Sequence, residues 1–248
     1  MNTATESLTG RVHSWDLSTG VDGPGTRFVL FLSGCPLRCL YCANPDTWHM
    51  RDGEETTVDE VAARIERYRD VVTTAGGGVT LTGGEALLQP AFTAAVLRRC
   101  KELGLHTALD TSGFLGARAS DDLLADTDLV LLDIKSFDVR TYRKLTGGEL
   151  SPTLNFATRL DRLGVPVWIR YVLVPGWTDD PRAVDGLGAF LAELGNVDRV
   201  DVLPFHKLGA HKYDALGIPF PLHDTPVPAP ELTDRVREQF REHGLRAL

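Results

Sequence analysis

The chain has 248 residues, of which 43% are hydrophobic, and a formal net charge of −8. This length and hydrophobic content suit one large α/β domain with an ordinary packed core. The negative charge argues against nonspecific binding to nucleic acid or to anionic membranes, because both require basic patches. The N-terminal segment has no apolar signal-peptide core, and no apolar run approaches roughly 18 residues, so we expect neither export nor a membrane span.

Short aliphatic and β-branched runs alternate with amphipathic segments along the chain. Strands are predicted near residues 27–33, 78–82, 105–110, 128–134, 166–173 and 199–205. A capping box at Thr57 and Glu60 predicts one helix start, and Pro90 and Pro181 occupy the first positions of two further helices. A last helix is predicted near 230–243. Six β/α units of this kind imply a parallel sheet with helices outside.

Each predicted strand ends in chemically distinctive residues. These ends are Gly34-Cys35, Gly83-Gly84-Glu85, Asp110-Thr111-Ser112, Asp133-Ile134-Lys135, Val174-Pro175-Gly176 and Pro204-Phe205-His206. A barrel site gathers residues from several strand ends, whereas a crevice in an open doubly wound sheet gathers fewer. We therefore predict a splayed, partial (β/α)6 TIM-like barrel. The single domain comprises an N-terminal extension (1–26), a barrel core (about 27–206) and a C-terminal loop and helix (207–248).

Three cysteines follow the first predicted strand with the spacing C-x3-C-x2-C: Cys35, Cys39 and Cys42. Three thiolates hold a [4Fe–4S] cluster with one iron free for a substrate, whereas a structural zinc site takes four ligands. Two alternatives stay open, namely three buried free thiols and a Cys3His zinc site completed by His13 or His49. Clustered cysteines without a disulfide framework favour the reducing cytosol.

Other polar residues at the strand ends are candidate ligand contacts, although each has an ordinary structural explanation: Asp110, Asp133, Lys135 and His206. The glycines before Glu85 would let the backbone approach a ligand and bring a carboxylate near an ammonium group, or they simply form a turn. Arg170 lies in an apolar strand and needs an acidic partner, for which a ligand carboxylate, Asp133 or Glu85 would serve. Cys100, on an apolar helix face, is predicted to be buried.

The cysteine run, with Tyr41 before its last cysteine, resembles the signature of radical S-adenosylmethionine (SAM) enzymes. Over nearly its full length the chain resembles the pyruvate formate-lyase-activating enzymes, a family of glycyl-radical-enzyme activases. The segments that carry this resemblance are GRVHSWDLSTGVDGPGTRF, GCPLRCLYCANPDTW, GGGVTLTGGEALLQP, HTALDTSGF, DLVLLDIK, VWIRYVLVPGWTDD and LPFHKLGAHKY.

The resemblance implies the same partial barrel and an oxidoreductase that cleaves SAM to install a glycyl radical on pyruvate formate-lyase. It implies that Cys35, Cys39 and Cys42 bind the [4Fe–4S] cluster. The SAM contacts that it implies are Tyr41, Cys42, Ala43, Gly84, Asp133, Ile134, Lys135 and His206. It also implies that Asp110 and Asp133 help to hold a monovalent cation. A reduced flavodoxin or ferredoxin would donate the electron, and no side chain is expected to act as a general acid or base.

Three features refine this expectation. The segment from Asp22 to Gly25 resembles a loop that faces the glycine loop of the target protein, and alone it predicts only a tight turn. Ala43 stands where the best-known members carry histidine, and the 33 residues between Cys42 and Gly76 contain no further cysteine, so one cluster is expected. The alternatives are activation of another glycyl radical enzyme, a radical SAM enzyme acting on a small molecule, and a non-enzymatic iron–sulfur or zinc protein.

Overall fold

The computed structural model describes residues 8–248 and contains one eight-stranded sheet. The strands are β1 (Thr9–Thr19), β2 (Thr26–Leu32), β3 (Glu54–Thr57), β4 (Gly78–Gly83), β5 (His106–Thr111), β6 (Leu129–Asp133), β7 (Val167–Leu173) and β8 (Val197–Pro204). Their order is β3-β1-β2-β4-β5-β6-β7-β8. The six predicted strands are confirmed as the parallel series β2 and β4–β8, and the sheet does not close.

The helices are α1 (Val58–Thr74), α2 (Pro90–Glu102), α3 (Asp121–Ala125), α4 (Val139–Thr146), α5 (Ser151–Leu163), α6 (Pro181–Ala192), α7 (Ala210–Leu216) and α8 (Pro230–Glu242). All but α7 contribute residues to the core on one face of the sheet, whereas α7 packs beside the cysteine loop. The predicted capping box is present, because the Thr57 side chain accepts from the Glu60 amide while the Glu60 carboxylate accepts from the Thr57 amide. Pro90 and Pro181 begin their helices as predicted. No helix in the described part of the chain is long and apolar enough to cross a bilayer.

The side chains of β2 show how the sheet separates two environments. Phe28 and Leu30 are buried in the main core, which also contains Ile65 of α1 and Cys100 of α2. The predicted burial of Cys100 is therefore confirmed. On the opposite face of β2, the buried Arg27 donates to the Val79 carbonyl at 2.5 Å inside the sheet's concave side. The apolar core thus lies between sheet and helices, and polar side chains collect inside the partial barrel.

Candidate functional site

A cavity of about 450 Å³ opens where the parallel strands end. Its volume lies within the usual range for a small-molecule site. All but one of the predicted site residues line it: Cys35, Cys39, Tyr41, Cys42, Ala43, Gly84, Asp110, Asp133, Lys135 and His206. The exception is Ile134, whose side chain is fully buried in the main core. Because its amide donates to the Arg170 carbonyl at 3.2 Å, any ligand contact by Ile134 would have to come from its own carbonyl.

The cysteine loop is held by backbone hydrogen bonds on both sides. The Cys35 amide donates to the Trp48 carbonyl at 3.0 Å, and the Leu40 amide donates to the Leu145 carbonyl at 2.9 Å. Gly34 makes the turn after β2 with φ of +97°, and a Cβ there would lie 2.5 Å from atoms of two neighbouring side chains. A larger residue would therefore strain the turn that directs the cysteines into the cavity.

Burial raises the pKa of Cys35 and of Cys39 to about 12, and it raises the pKa of Cys42 as well. The thiols of the unloaded protein are therefore protonated near neutral pH, and binding to iron would release these protons. Among residues 8–248, no three His, Cys, Asp or Glu side chains are placed to hold one metal ion. A four-iron cluster does not require that arrangement, since each cysteine binds a different iron.

Neither histidine considered for the zinc alternative lies at the cysteine site. His13 and His49 do not line the cavity. The Nε2 atom of His13 instead lies 3.4 Å from a carboxylate oxygen of Asp46. Three thiols at one cavity without either of these histidines fit a cluster with one open iron better than the Cys3His site considered from the sequence.

Asp133 and Lys135 form a partly buried ion pair at the end of β6, with 2.5 Å between Nζ and Oδ2. Burial opposes the charge of Lys135, but Asp133 and the neighbouring Cys39 raise its pKa well above the usual value. The ammonium group also lies 5.4 Å from the centre of the Tyr41 ring. Asp133 Oδ1 and the Tyr41 hydroxyl are buried and find no hydrogen-bond partner within residues 8–248. Such atoms are costly unless a bound group satisfies them.

Arg170 connects the cavity to the loop between β1 and β2. One of its guanidinium nitrogens lies 3.6 Å from Asp22 Oδ1 and 3.9 Å from Asp110 Oδ2, and it donates to the Val21 carbonyl at 3.3 Å. Of the predicted protein partners, Glu85 was wrong. Asp133 makes no direct ion pair with Arg170, since the paired acids are Asp22 and Asp110, but its charge also raises the Arg170 pKa. Burial opposes the charge of Arg170, but Asp110 leads the acids that raise its pKa.

Asp110 itself accepts a hydrogen bond from the Thr82 hydroxyl at 2.7 Å. Burial raises the pKa of Asp110, while Arg170 and Thr82 oppose that shift. Its carboxylate therefore depends on neighbouring positive charge and donors to remain ionised.

The carboxylate of Glu85 does not point into the cavity. Only 2% of the residue is exposed, and its two oxygens accept hydrogen bonds from the amides of Leu87 and Ser112 and from the hydroxyls of Thr111 and Ser112. The expectation of an acid beside a ligand's ammonium group is therefore wrong for this side chain. Gly84 does line the cavity, and a Cβ there would lie 2.4 Å from the Gly34 carbonyl oxygen. The motif contributes backbone to the site and a carboxylate to the scaffold.

Comparison with known proteins agrees with this geometry. Residues 29–185 match the radical SAM superfamily. The chain is 43% identical to pyruvate formate-lyase 1-activating enzyme of Escherichia coli (strain K12), over 98% of this chain and 99% of that protein. It is 45% identical to pyruvate formate-lyase-activating enzyme of Staphylococcus aureus (strain USA300), over 90% and 92% of the two chains. The chain belongs to the pyruvate formate-lyase-activating enzymes of the radical SAM superfamily.

Solved structures support the same fold. A domain of pyruvate-formate lyase-activating enzyme from Bacteroides vulgatus superposes with a TM-score of 0.59 at 26% identity, over 69% of this chain and 98% of that one. Streptococcus suis SuiB bound to its precursor peptide superposes with a TM-score of 0.68 at 15% identity, over 88% of this chain and 47% of that one, which is a likeness of fold alone. As a radical SAM enzyme, the chain uses a [4Fe–4S] cluster and SAM.

Helix α7 supplies contacts that the sequence analysis missed. The Tyr213 hydroxyl donates to the Cys42 carbonyl at 3.0 Å, and Lys212 Nζ lies 2.8 Å from Asn44 Oδ1 and 3.0 Å from an Asp46 oxygen. Gly209, just before α7, packs so closely on Ala43 that a Cβ would lie 2.6 Å from its carbonyl oxygen. The segment LPFHKLGAHKY was part of the resemblance, but its role in holding the cysteine loop follows only from these contacts.

Proposed function

We propose that this radical SAM enzyme activates pyruvate formate-lyase by removing a hydrogen atom from the Cα of one of its glycines. The full-length match to activating enzymes carries the proposal. The site supports it, because three thiols, a small-molecule cavity and a loop anchored beside that cavity lie together at one end of an open sheet. The alternative is that the enzyme activates another glycyl radical enzyme.

In this proposal Cys35, Cys39 and Cys42 hold the cluster and leave one iron for the amino and carboxylate groups of SAM. When bound, the cluster and SAM supply one-electron cleavage of the S–C5′ bond and the hydrogen-atom abstraction that follows. The protein holds the reacting groups together and excludes water. No residue is assigned a general acid or base role.

The proposed SAM contacts divide by chemistry. The backbone from Tyr41 to Ala43 lines the side of the cavity next to the cysteines, and Gly84 allows close approach on the β4 side. Asp133 offers the unpartnered Oδ1 to a donor, and the buried ammonium of Lys135 offers a positive charge. The remaining proposed contacts are His206, which lines the cavity at the end of β8, and the backbone of Ile134.

We assign the monovalent cation to the space between Asp110 and Asp133. Both carboxylates line the cavity, and each uses its Oδ2 atom for a protein contact, with Thr82 and Lys135 respectively. Their Oδ1 atoms are therefore left for other partners. Carboxylate oxygens are the ligands that hard cations prefer.

The partner glycine would enter on the side of the loop from Asp22 to Gly25. Arg170 and the Thr80 hydroxyl, which donates to the Asp22 carbonyl at 2.6 Å, hold this loop against the barrel interior. Val21 lines the cavity and is 56% exposed, so an apolar contact is available at the entrance. The electron would come from a reduced flavodoxin or ferredoxin. We also propose a cytoplasmic location, in keeping with four free cysteines.

The decisive test is anaerobic incubation of the reduced enzyme with SAM and the lyase from the same organism. A glycyl EPR doublet should appear on the lyase, its splitting should collapse when the glycine Cα is deuterated, and 5′-deoxyadenosine should form. Formation of 5′-deoxyadenosine with a small molecule but never with a protein radical would contradict the proposal. Failure of the enzyme to bind SAM or cleave it would favour a non-enzymatic iron–sulfur protein.

Single alanine variants test the site. Cys35→Ala, Cys39→Ala and Cys42→Ala should each abolish SAM cleavage, whereas Cys100→Ala, at a buried core position, should keep the cluster measured by iron and sulfide content. His206→Ala should weaken SAM affinity with little change in the melting temperature. Lys135→Ala should weaken SAM affinity and also lower the melting temperature, because it leaves Asp133 without its ion-pair partner. Normal SAM affinity in the folded Lys135→Ala and His206→Ala variants would assign these residues a structural role.

A further inference from the structure

The cysteine loop has an inner and an outer face. Leu37 and Cys39 line the cavity, whereas Pro36, which precedes Leu37, and Arg38, which lies between Leu37 and Cys39, are exposed. The Arg38 guanidinium folds back over the loop and donates to the carbonyls of Cys35 at 2.7 Å and Leu37 at 2.8 Å. The positive charge of Arg38 therefore lies against the backbone of the cysteine loop, 5.1 Å from the centre of the Trp48 ring.

Helix α4 continues this outer face. The Arg38 amide donates to the Thr146 carbonyl at 2.8 Å at the end of the helix, so the loop runs directly along its last turn. The exposed side of α4 carries three further cations, namely Arg140, Arg143 and Lys144. Arg143 pairs with Glu149 at 2.5 Å. Across residues 8–248, Arg140 and Lys144 find no acceptor or carboxylate partner.

We define the α4 face as Arg38, Arg140, Arg143 and Lys144. With the two nearby acids, Asp138 and Glu149, this region has a local excess of two positive charges on a chain whose net charge is −8. None of the four cations lines the cavity. The cations that would contact a protein bound to the α4 face are therefore separate from the residues that line the SAM cavity.

We propose that the α4 face docks an acidic one-electron carrier protein that reduces the cluster. The inference rests on the proposed function, because each SAM cleavage consumes one electron, which passes from the reduced carrier to the oxidised cluster. Opposite charges on the two proteins would accelerate their encounter and make its rate depend on salt. The backbone beneath Arg38 belongs to the cysteine loop itself, so a carrier docked here would lie against the segment that holds the cluster.

The test uses the cluster-loaded enzyme with reduced flavodoxin as the probe. The double variant Arg140→Glu, Lys144→Glu should lower the second-order rate constant of cluster reduction by about tenfold at low salt, and this difference should shrink at high salt. The double variant Arg67→Glu, Arg69→Glu is the matched control, because it makes the same change in charge at two exposed cations of α1 that have no ion-pair partner within residues 8–248. It should change the rate far less. Activity driven by dithionite should match wild type in both variants.

Other outcomes would overturn the assignment. A rate constant and salt dependence equal to wild type in the Arg140→Glu, Lys144→Glu variant, with normal dithionite-driven activity, would place the carrier elsewhere while leaving the proposed function intact. A raised KM for the lyase with dithionite as reductant would make the α4 face a site for the lyase instead. The neutral variant Arg140→Gln, Lys144→Gln controls for misfolding of the charge-reversed variant. It should lower the logarithm of the rate constant about half as much, because it changes the charge of the α4 face half as much. No radical from wild type with dithionite would instead refute the activase function.

Discussion

Glu85 offers a sharp test of whether a motif residue serves the ligand or the scaffold. Its carboxylate accepts four hydrogen bonds from three residues, Leu87, Thr111 and Ser112, and it does not line the cavity. Glu85→Gln keeps the shape of the side chain but replaces one acceptor oxygen with a donor. We expect this variant to lose stability and to keep SAM affinity.

The magnitude follows from the donors. Glu85 Oε1 accepts from the Leu87 amide and the Thr111 hydroxyl, and Oε2 accepts from the amide and the hydroxyl of Ser112. The single oxygen of glutamine can accept from only one of these pairs, and the amide nitrogen must then face the other pair. A hydroxyl of Thr111 or Ser112 can rotate and accept, but a backbone amide cannot. One buried N–H is thus left unsatisfied, and charge-assisted bonds are lost, so the free energy of unfolding should fall by about 2–3 kcal/mol. For a chain of this size that corresponds to a decrease in melting temperature of about 4–12 °C.

The assay is anaerobic thermal and urea unfolding of the unloaded protein, together with SAM binding to the cluster-loaded protein. Glu66→Gln, at an exposed position on α1, is the matched control and should stay within about 0.5 kcal/mol of wild type. A Glu85→Gln variant that melts like wild type but binds SAM tenfold more weakly would refute the reasoning, because the carboxylate would then have to face the ligand.

Three further predictions concern buried polar contacts. Tyr213→Phe removes the hydrogen bond to the Cys42 carbonyl, so it should lower the free energy of unfolding by about 1 kcal/mol and speed the loss of iron to a chelator. An unchanged rate of iron loss would show that Tyr213 does not stabilise the cysteine loop. Burial and Arg27 lower the pKa of His106, so the folded state resists its protonation, and the free energy of unfolding should fall as the pH drops below about 6.5. His106→Gln should flatten this pH dependence, measured by urea unfolding at several pH values. An unchanged slope would show that His106 does not cause the pH dependence. Arg170→Lys has a shorter side chain, which withdraws the nitrogen that lies near Asp22, Asp110 and the Val21 carbonyl. It should therefore raise the KM for the lyase more than the dissociation constant of SAM. Equal effects on both would show a general loss of structure.

The parallel strands and several helix starts could be predicted because their signals are local. Buried parallel strands are continuous apolar runs, and capping residues act within one turn of the helix. The antiparallel strands β1 and β3 were missed, and all of β1 lies within the segment 1–26 that was predicted to be an N-terminal extension. β3 contains only polar residues, Glu54–Thr57, and it is a strand because it pairs with β1. Pairing between distant segments leaves no periodic signal in so short a run.

The candidate site shows the same limit at the level of side chains. The rule that parallel strand ends converge identifies which residues share the cavity, but it does not determine their polar partners. Arg170 stands directly opposite Asp133 in the register of β6 and β7. Its nearest partners nevertheless come from β5 and from the loop between β1 and β2, because that loop folds into the concave side of the sheet and places Asp22 against the guanidinium. One side chain therefore touches both the loop proposed to meet the partner protein and a carboxylate of the proposed cation site. A displacement of that loop by the partner would alter the surroundings of Asp110, and this coupling arises from a contact between segments about 150 residues apart.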